Sequence, residues 1–170
     1  MISSANMNQP TTEPTTGPAS TLVELPAALR DLHRALLAQV RDEHERTHGP
    51  VGGPGQLLHL AMNDASFAWL RVLSELMVDL DELLEEEPAP SEEEAAAIRR
   101  ELDEVFSPAA PRAFWEKCAP LLQDGEVVIA YARVRSLLTR LPRAPAADDA
   151  AARLHAQHRW AVTRRKRGAP

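Results

Sequence analysis

The sequence has little that would support a secreted, disulfide-bonded or membrane-spanning protein. Its 170 residues include a single cysteine, Cys118, so no disulfide can form within the chain. The first 20 residues contain no lysine or arginine and no apolar run, so we expect no secretory signal peptide. No segment approaches the roughly 20 apolar residues that a membrane-spanning helix requires. These absences predict a cytoplasmic protein.

Aromatic residues are also scarce, at 4% of the chain, although hydrophobic residues make up 44%. The apolar content is therefore mostly leucine, alanine and valine. Alanine and leucine favour helices, whereas a β protein would be richer in isoleucine, threonine and aromatic residues. The length suits one domain. We therefore predict an all-α fold, an irregular bundle of about five helices.

The chain divides by composition into three segments. Residues 1–21 are mainly threonine, proline, serine and asparagine, which bury too little apolar surface to order the chain, so this segment is predicted to be disordered. Residues 22–142 carry the apolar periodicity of a helical bundle. Residues 143–170 form a basic tail, which is expected to be at most a marginal helix.

Apolar spacing and end signals place the helices within the bundle. The first helix is predicted to begin near Pro26 and to end at about residue 47, before a glycine- and proline-rich loop. A long helix over 64–87, with Asp64 as its N-cap, has the widest apolar stripe and is predicted to be the central helix. Ser91 and Glu94 form the pattern of a capping box. Further helices are expected at 56–64, 91–106, 114–122 and 127–141.

Charge is distributed unevenly along the chain. Residues 1–104 carry 20 acidic and 7 basic side chains, whereas residues 105–170 carry 5 acidic and 12 basic ones. The two parts either neutralise each other within one fold or attract a charged partner. The stretch 81–94, which we call the acidic hinge, is the most acidic, and the tail is the most basic. The candidate binding residues of the tail are Trp160, Arg164, Arg165, Lys166 and Arg167, a basic cluster with an aromatic residue near it.

The segment His44-Glu45-Arg46-Thr47-His48 has the H-E-x-x-H spacing of zinc hydrolases. On a helix, His44 and His48 would share one face and could bind zinc, with Glu45 as the general base and Glu75 or Asp79 as a third ligand. The surrounding residues are charged, and the motif precedes a helix-ending glycine. These features favour a solvated helix end, so no metal or other cofactor is expected and His44 and His48 are only weak metal candidates.

Other residues with chemical potential are predicted to be structural. His33 lies between leucines on the apolar face of the first helix, where a buried histidine with one hydrogen-bond partner is the expected outcome. Cys118 fits a helix face as a small apolar residue and has no histidine near it in the sequence. The loop 49–55 has two prolines and no following lysine, so it does not match a phosphate-binding loop.

Residues 57–84 contain a Phe67-x-Trp69-Leu70-Arg71 run that follows an aspartate and continues as Leu-Ser-x-Leu. This block resembles a segment of small, uncharacterised helical proteins of bacteria. The resemblance implies a helical bacterial protein and implies no activity.

The sequence thus favours a non-enzymatic cytoplasmic protein that acts through protein–protein contacts at the acidic hinge and the basic tail. Two alternatives remain open. One is a zinc-dependent hydrolase that uses residues 44–48, and the other is a nucleic-acid-binding accessory factor that uses the tail. A homodimer is compatible with the wide apolar stripe of the predicted central helix.

Overall fold

The chain folds as an all-α bundle, as the sequence predicts. A computed structural model describes residues 18–86, 88–109 and 113–143, and within these ranges there is no β-strand. The α-helices are α1 (Pro18–His48), α2 (Pro54–Asn63), α3 (Arg71–Glu85), α4 (Glu92–Val105), α5 (Ala113–Cys118) and α6 (Gly125–Arg140). Short 3₁₀ segments, Ala68–Leu70 and Ala119–Gln123, precede α3 and α6. In the described ranges we find no helix that combines the length and hydropathy of a membrane span.

Helix α1 lies antiparallel to α6. Arg133 Nη1 is 2.9 Å from Asp31 Oδ2, and Arg140 Nη2 is 3.6 Å from Glu24 Oε2. The residue numbers therefore increase along α1 while those of the paired residues decrease along α6. Each pair joins an acidic residue of the first part of the chain to a basic residue of the last part. The uneven charge of the sequence is thus partly neutralised between these two helices.

Helix α1, and not α3, is the central helix. It packs against α3, α4 and α6, and α3 lies antiparallel to it, with Arg30 Nη1 3.2 Å from Asp81 Oδ2. The prediction that residues 64–87 form the central helix is therefore wrong. Apolar spacing measures the width of a stripe, whereas the number of neighbours also depends on helix length. With 31 residues, α1 extends for about 46 Å and offers room for three helices.

Helix α1 also begins earlier than predicted, at Pro18 and not near Pro26, so the last residues of the predicted disordered segment 1–21 are helical. Pro26 lies inside the helix and is itself buried. A proline inside a helix removes one backbone hydrogen bond and costs about 3 kcal/mol. Leu22 and Leu25, both 0% exposed, pack in the core on the N-terminal side of Pro26, and this burial offsets the cost.

Asp64 ends one helix and does not begin the next. Its backbone N–H donates to Leu60 O at 2.8 Å and closes α2, while its carboxylate accepts hydrogen bonds from the backbone N–H and the hydroxyl of Ser66. These bonds hold the pKa of Asp64 below its usual value. Because Asp64 forms a turn here, the predicted helix over 64–87 begins later than expected, with the 3₁₀ segment Ala68–Leu70 ahead of α3 at Arg71.

The predicted capping box of α4 is confirmed. Glu94 N donates to Ser91 Oγ at 3.2 Å, and Ser91 N donates to Glu94 Oε2 at 2.8 Å. Asp124 caps α6 in a related way, because its carboxylate accepts from the backbone N–H groups of Glu126 and Val127. Both caps satisfy N–H groups that the first helical turn leaves without partners.

Arg99 joins α4 to the end of α6. Its Nη1 donates to Leu141 O at 2.6 Å, and its Nε donates to Asp103 Oδ2 at 3.3 Å. The other oxygen of Asp103 accepts from Arg135 Nη1 at 2.7 Å. Arg99 is largely buried, with 11% of its side chain exposed. Since Leu141 is also buried, its carbonyl depends on this arginine for a partner.

The few aromatic residues are concentrated near α5. Successive ring contacts, with centroids 5.4–5.9 Å apart, join Trp69, Phe114, Phe106, Tyr131 and Trp115. Cys118 lies in the same core and is 0% exposed. Burial raises the pKa of Cys118 to about 11, so the side chain is a thiol at neutral pH. The prediction that Cys118 is a core residue is confirmed.

Candidate functional site

Helix α2 is attached to the bundle mainly at its ends. The preceding loop turns at Gly49 and Gly53, whose φ angles of 89° and 124° are ones that other residues rarely adopt. At the other end, Arg71 Nη2 donates to Met62 O at 3.0 Å, which satisfies a carbonyl of the last helical turn. None of the residues of α2 is buried. The helix therefore lies across the surface and leaves a groove between itself and the bundle.

The groove beneath α2 has mostly apolar walls and a volume of about 420 Å³. Leu37 of α1, Leu57 and Ala61 of α2, and Phe67 and Leu70 ahead of α3 form these walls. This volume lies in the usual range for small-ligand sites, roughly 300–1,000 Å³, which are typically apolar with a few polar groups. The groove is therefore a candidate binding site.

One side of the groove carries three polar side chains. Ser74 Oγ lies 3.2 Å from His33 Nε2, and Arg71 is one helical turn before Ser74 on α3. Burial lowers the pKa of His33, which favours the neutral imidazole. Arg71 is then the charged residue of the groove lining. The prediction of a buried His33 with one hydrogen-bond partner is confirmed in part, because Ser74 is that partner but His33 is half-buried.

The Ser74–His33 pair resembles the first two members of a catalytic triad only in its distance. Acyl transfer also requires N–H donors directed at the oxyanion that develops. Ser74 lies inside α3, where the backbone N–H groups are directed along the helix axis. The pair is therefore suited to hydrogen bonding with a bound group. When His33 Nε2–H donates to Ser74 Oγ, the Ser74 hydroxyl can donate to that group.

The burial of His33 predicts a pH dependence of stability. Because its folded-state pKa lies below the ordinary value of 6.5, the unfolded chain takes up a proton more readily than the folded chain. The contribution of His33 to stability is thus present above pH 6.5 and is lost as the pH falls below 6.5, with a slope of up to about 1.4 kcal/mol per pH unit.

Urea denaturation of His33→Gln at a series of pH values should show a free energy of unfolding that depends less on pH than that of wild type. His59→Gln, at an exposed position of α2, is the control and should retain the wild-type slope. An unchanged slope in His33→Gln would contradict the prediction.

His44 and His48 lie on one face of the last turns of α1, as predicted. Their rings stack with centroids 4.4 Å apart, and His48 Nδ1 is 2.6 Å from Thr47 Oγ1. Glu45, in contrast, is used by the adjacent loop. Its Oε1 accepts from Val51 N at 3.0 Å and from Arg41 Nε at 2.9 Å, and these bonds lower the pKa of Glu45. The general-base role proposed from the sequence would require Glu45 to give up both contacts.

The third zinc ligand proposed from the sequence lies elsewhere. On the antiparallel helix α3, Ser74 is opposite His33, so Glu75 and Asp79 lie beside α1 residues at least ten positions before His44, or about 15 Å away. Within the described ranges, no three His, Cys, Asp or Glu side chains are arranged to hold a metal ion. The structure therefore brings together the two histidines but not the remaining parts of a zinc site.

The other sequence-predicted site residues have different outcomes. The tail candidates Trp160, Arg164, Arg165, Lys166 and Arg167 lie outside the described residues. In the acidic hinge, Asp81 pairs with Arg30 and Glu94 is buried in the capping box of α4. The acidic hinge thus uses part of its charge within the bundle.

No family model, curated protein or solved structure matches this chain. The resemblance of residues 57–84 to small bacterial helical proteins therefore stays a prediction.

Sequence reasoning did not identify Arg71, Ser74 or the groove. One signal was present in α2, where five of ten residues are Leu, Ala or Met and their side chains cover somewhat more than half of the helix circumference. An apolar stripe this wide usually has more than one apolar neighbour. The position of this helix next to a glycine-rich loop was a reason to expect a surface element with an apolar partner.

Proposed function

We propose that this protein is non-enzymatic and acts through contact with another protein, and that the outer face of α2 is the contact surface. The observation that carries the proposal is the exposure of α2. Leu58 is 61% exposed and Met62 is 62% exposed, and a contiguous exposed apolar pair is more informative than a single exposed apolar residue.

Leu58 and Met62 form a continuous apolar surface. They are four positions apart on one helix, so their side chains lie next to each other. Burying a side chain of this size against a partner contributes about 1.5–3 kcal/mol, and two adjacent ones can anchor an interface. The groove lies directly beside them, since both residues also contribute to its rim. The complementary surface on the partner would be an apolar side chain or helix face.

This proposal retains the protein–protein contact function predicted from the sequence. It assigns the contact surface to α2 and not to the acidic hinge or the basic tail. The acidic hinge retains exposed acids at Glu92 and Glu93, but its described residues offer no apolar surface of comparable size. Binding of a partner by the basic tail stays a prediction. Capture by the full-length chain and by a chain ending at Leu141, each with and without nuclease, would test it. Neither the zinc-hydrolase alternative nor the nucleic-acid alternative gains an observation from the described residues.

The test is a capture experiment with matched variants. Wild-type protein, the double variant Leu58→Ser/Met62→Ser and the control Ile129→Ser are immobilised and exposed to lysate of the native host. Ile129 is 72% exposed on α6, so its substitution removes a similar apolar side chain from another surface. We expect a protein that wild type and Ile129→Ser retain equally and that the double variant retains at least tenfold less. Binding is then repeated with that protein in purified form.

Equal retention by all three forms would contradict the α2 surface, and retention of nothing by wild type would contradict the partner-protein function. Circular dichroism of each variant verifies the fold, because substitutions at such exposed positions are expected to change stability by less than about 0.5 kcal/mol.

A further inference from the structure

Arg71 differs from most arginines of the bundle in having no carboxylate partner among the residues that the structure describes. Eight arginines within the described ranges form an ion pair with an aspartate or glutamate. Arg71 instead uses one nitrogen, Nη2, to donate to Met62 O. A guanidinium group has five N–H donors in a planar arrangement that suits a carboxylate. Arg71 therefore has donors available for an anion at the mouth of the groove.

The groove next to Arg71 is apolar in its interior. Phe67 and Leu70 at its base are 1% and 4% exposed, and Leu57 and Ala61, one helical turn apart, face them from α2. An alkyl chain of about ten carbons occupies less than the 420 Å³ of the groove. The lining thus combines an apolar interior with one positive charge at the surface.

Ser74 and His33 add a second hydrogen-bonding group beside the charge. With His33 neutral and its Nε2–H donating to Ser74 Oγ, the hydroxyl hydrogen of Ser74 is available to a bound oxygen atom. Arg71 and Ser74 are three positions apart on α3 and therefore lie on the same face of that helix. Together they can donate to both oxygens of one carboxylate.

We infer that the groove beneath α2 binds a small amphipathic carboxylate, with its alkyl chain against Leu57, Ala61 and Phe67 and its head group at Arg71 and Ser74. Charge complementarity selects the head group, and the apolar walls select the chain. Leu58 and Met62 also line this groove, but the site does not require the proposed partner protein, because its apolar walls and its polar head-group residues all belong to this chain.

Decanoate and decanol are the probes, because they share an alkyl chain and differ in charge. Titration calorimetry of the purified full-length protein should give saturable decanoate binding that is at least tenfold tighter than decanol binding. Arg71→Met keeps an apolar side chain of similar length but also loses the hydrogen bond to Met62 O, so decanol reports any change in the groove, and decanoate binding should weaken at least tenfold more than decanol binding. Arg71→Lys should restore part of the loss.

Controls separate the head-group site from general charge and from misfolding. Arg100→Met removes another arginine that lacks an ion pair within the described ranges, and it should bind decanoate as wild type does. Ala61→Phe fills the groove and should abolish binding of both probes, with the backbone amide NMR spectrum reporting whether the fold is kept. Absence of saturable decanoate binding, equal affinity for decanoate and decanol, or an unchanged affinity in Arg71→Met would each overturn the inference. None of these results bears on the capture of a protein by Leu58 and Met62, so the two proposals can fail separately.

Discussion

Replacing Leu32 by alanine is expected to lower the free energy of unfolding by about 2–5 kcal/mol. Leu32 is 0% exposed and lies on the core face of α1, the helix that packs against three others. The substitution removes the transfer free energy of the leucine side chain and leaves a cavity that several helices would have to close together. Since domains of this size are typically stable by about 5–15 kcal/mol, the loss is a large fraction of the total.

Urea denaturation followed by circular dichroism measures this loss. The matched control is Val23→Ala on the same helix, because Val23 is 66% exposed and its substitution should change stability by less than about 0.5 kcal/mol. A loss below about 1 kcal/mol for Leu32→Ala would show that α1 is not the centre of the core.

The substitution Arg99→Ala is expected to lower the free energy of unfolding by about 1.5–3 kcal/mol. Arg99 supplies the hydrogen bond to the buried carbonyl of Leu141 at 2.6 Å, and alanine would leave that carbonyl without a donor. Asp103 would retain only Arg135 as a partner. The end of α6 would also lose its connection to α4, so amide hydrogen exchange should accelerate first at residues 138–141.

Arg133→Ala is the matched control for Arg99→Ala. Arg133 also joins two helices through an aspartate, but it is 51% exposed, and exposed ion pairs usually contribute less than about 1 kcal/mol. A similar loss in both variants would mean that the pairing of charge, and not the buried carbonyl, determines the effect. Arg99→Lys should recover only part of the stability, because an ammonium group cannot reach Leu141 O and Asp103 with the same planar geometry.

The fold class was predictable because local signals agreed with each other. The helices at 91–106 and 127–141 combined apolar spacing with end signals, and the Ser91 capping box was visible as a pattern three residues apart. The centre of the bundle was not predictable in this way. A wide stripe on α3 indicated several neighbours, but only tertiary packing shows that α1, continued past Pro26 to Pro18, contacts more of them.

The candidate site was less predictable than the fold. His33 was correctly expected on the core side of α1 with a hydrogen-bond partner, although it is half-buried and not fully buried. Its partner Ser74 is 41 positions away in the sequence, and nothing in the sequence links the two residues. The H-E-x-x-H motif, in contrast, is local and could be recognised in the sequence. It brings His44 and His48 together on one helix, but zinc chemistry also depends on a distant third ligand, and α3 carries Glu75 and Asp79 away from it.

The pairing of α1 with α6 affects how the chain reaches its fold during synthesis. Asp31 and Arg133 are 102 positions apart, so the principal helix contact is strongly non-local. Bundles dominated by such contacts fold more slowly than those with local ones, because a long loop must close first. As the ribosome makes the chain from the N-terminus, α1 emerges early and its leucine face has no α6 to cover it until nearly the whole bundle has been made. Nascent chains that stop before α6 should therefore depend on chaperones, and truncation within α6 should produce aggregation and not a smaller folded protein.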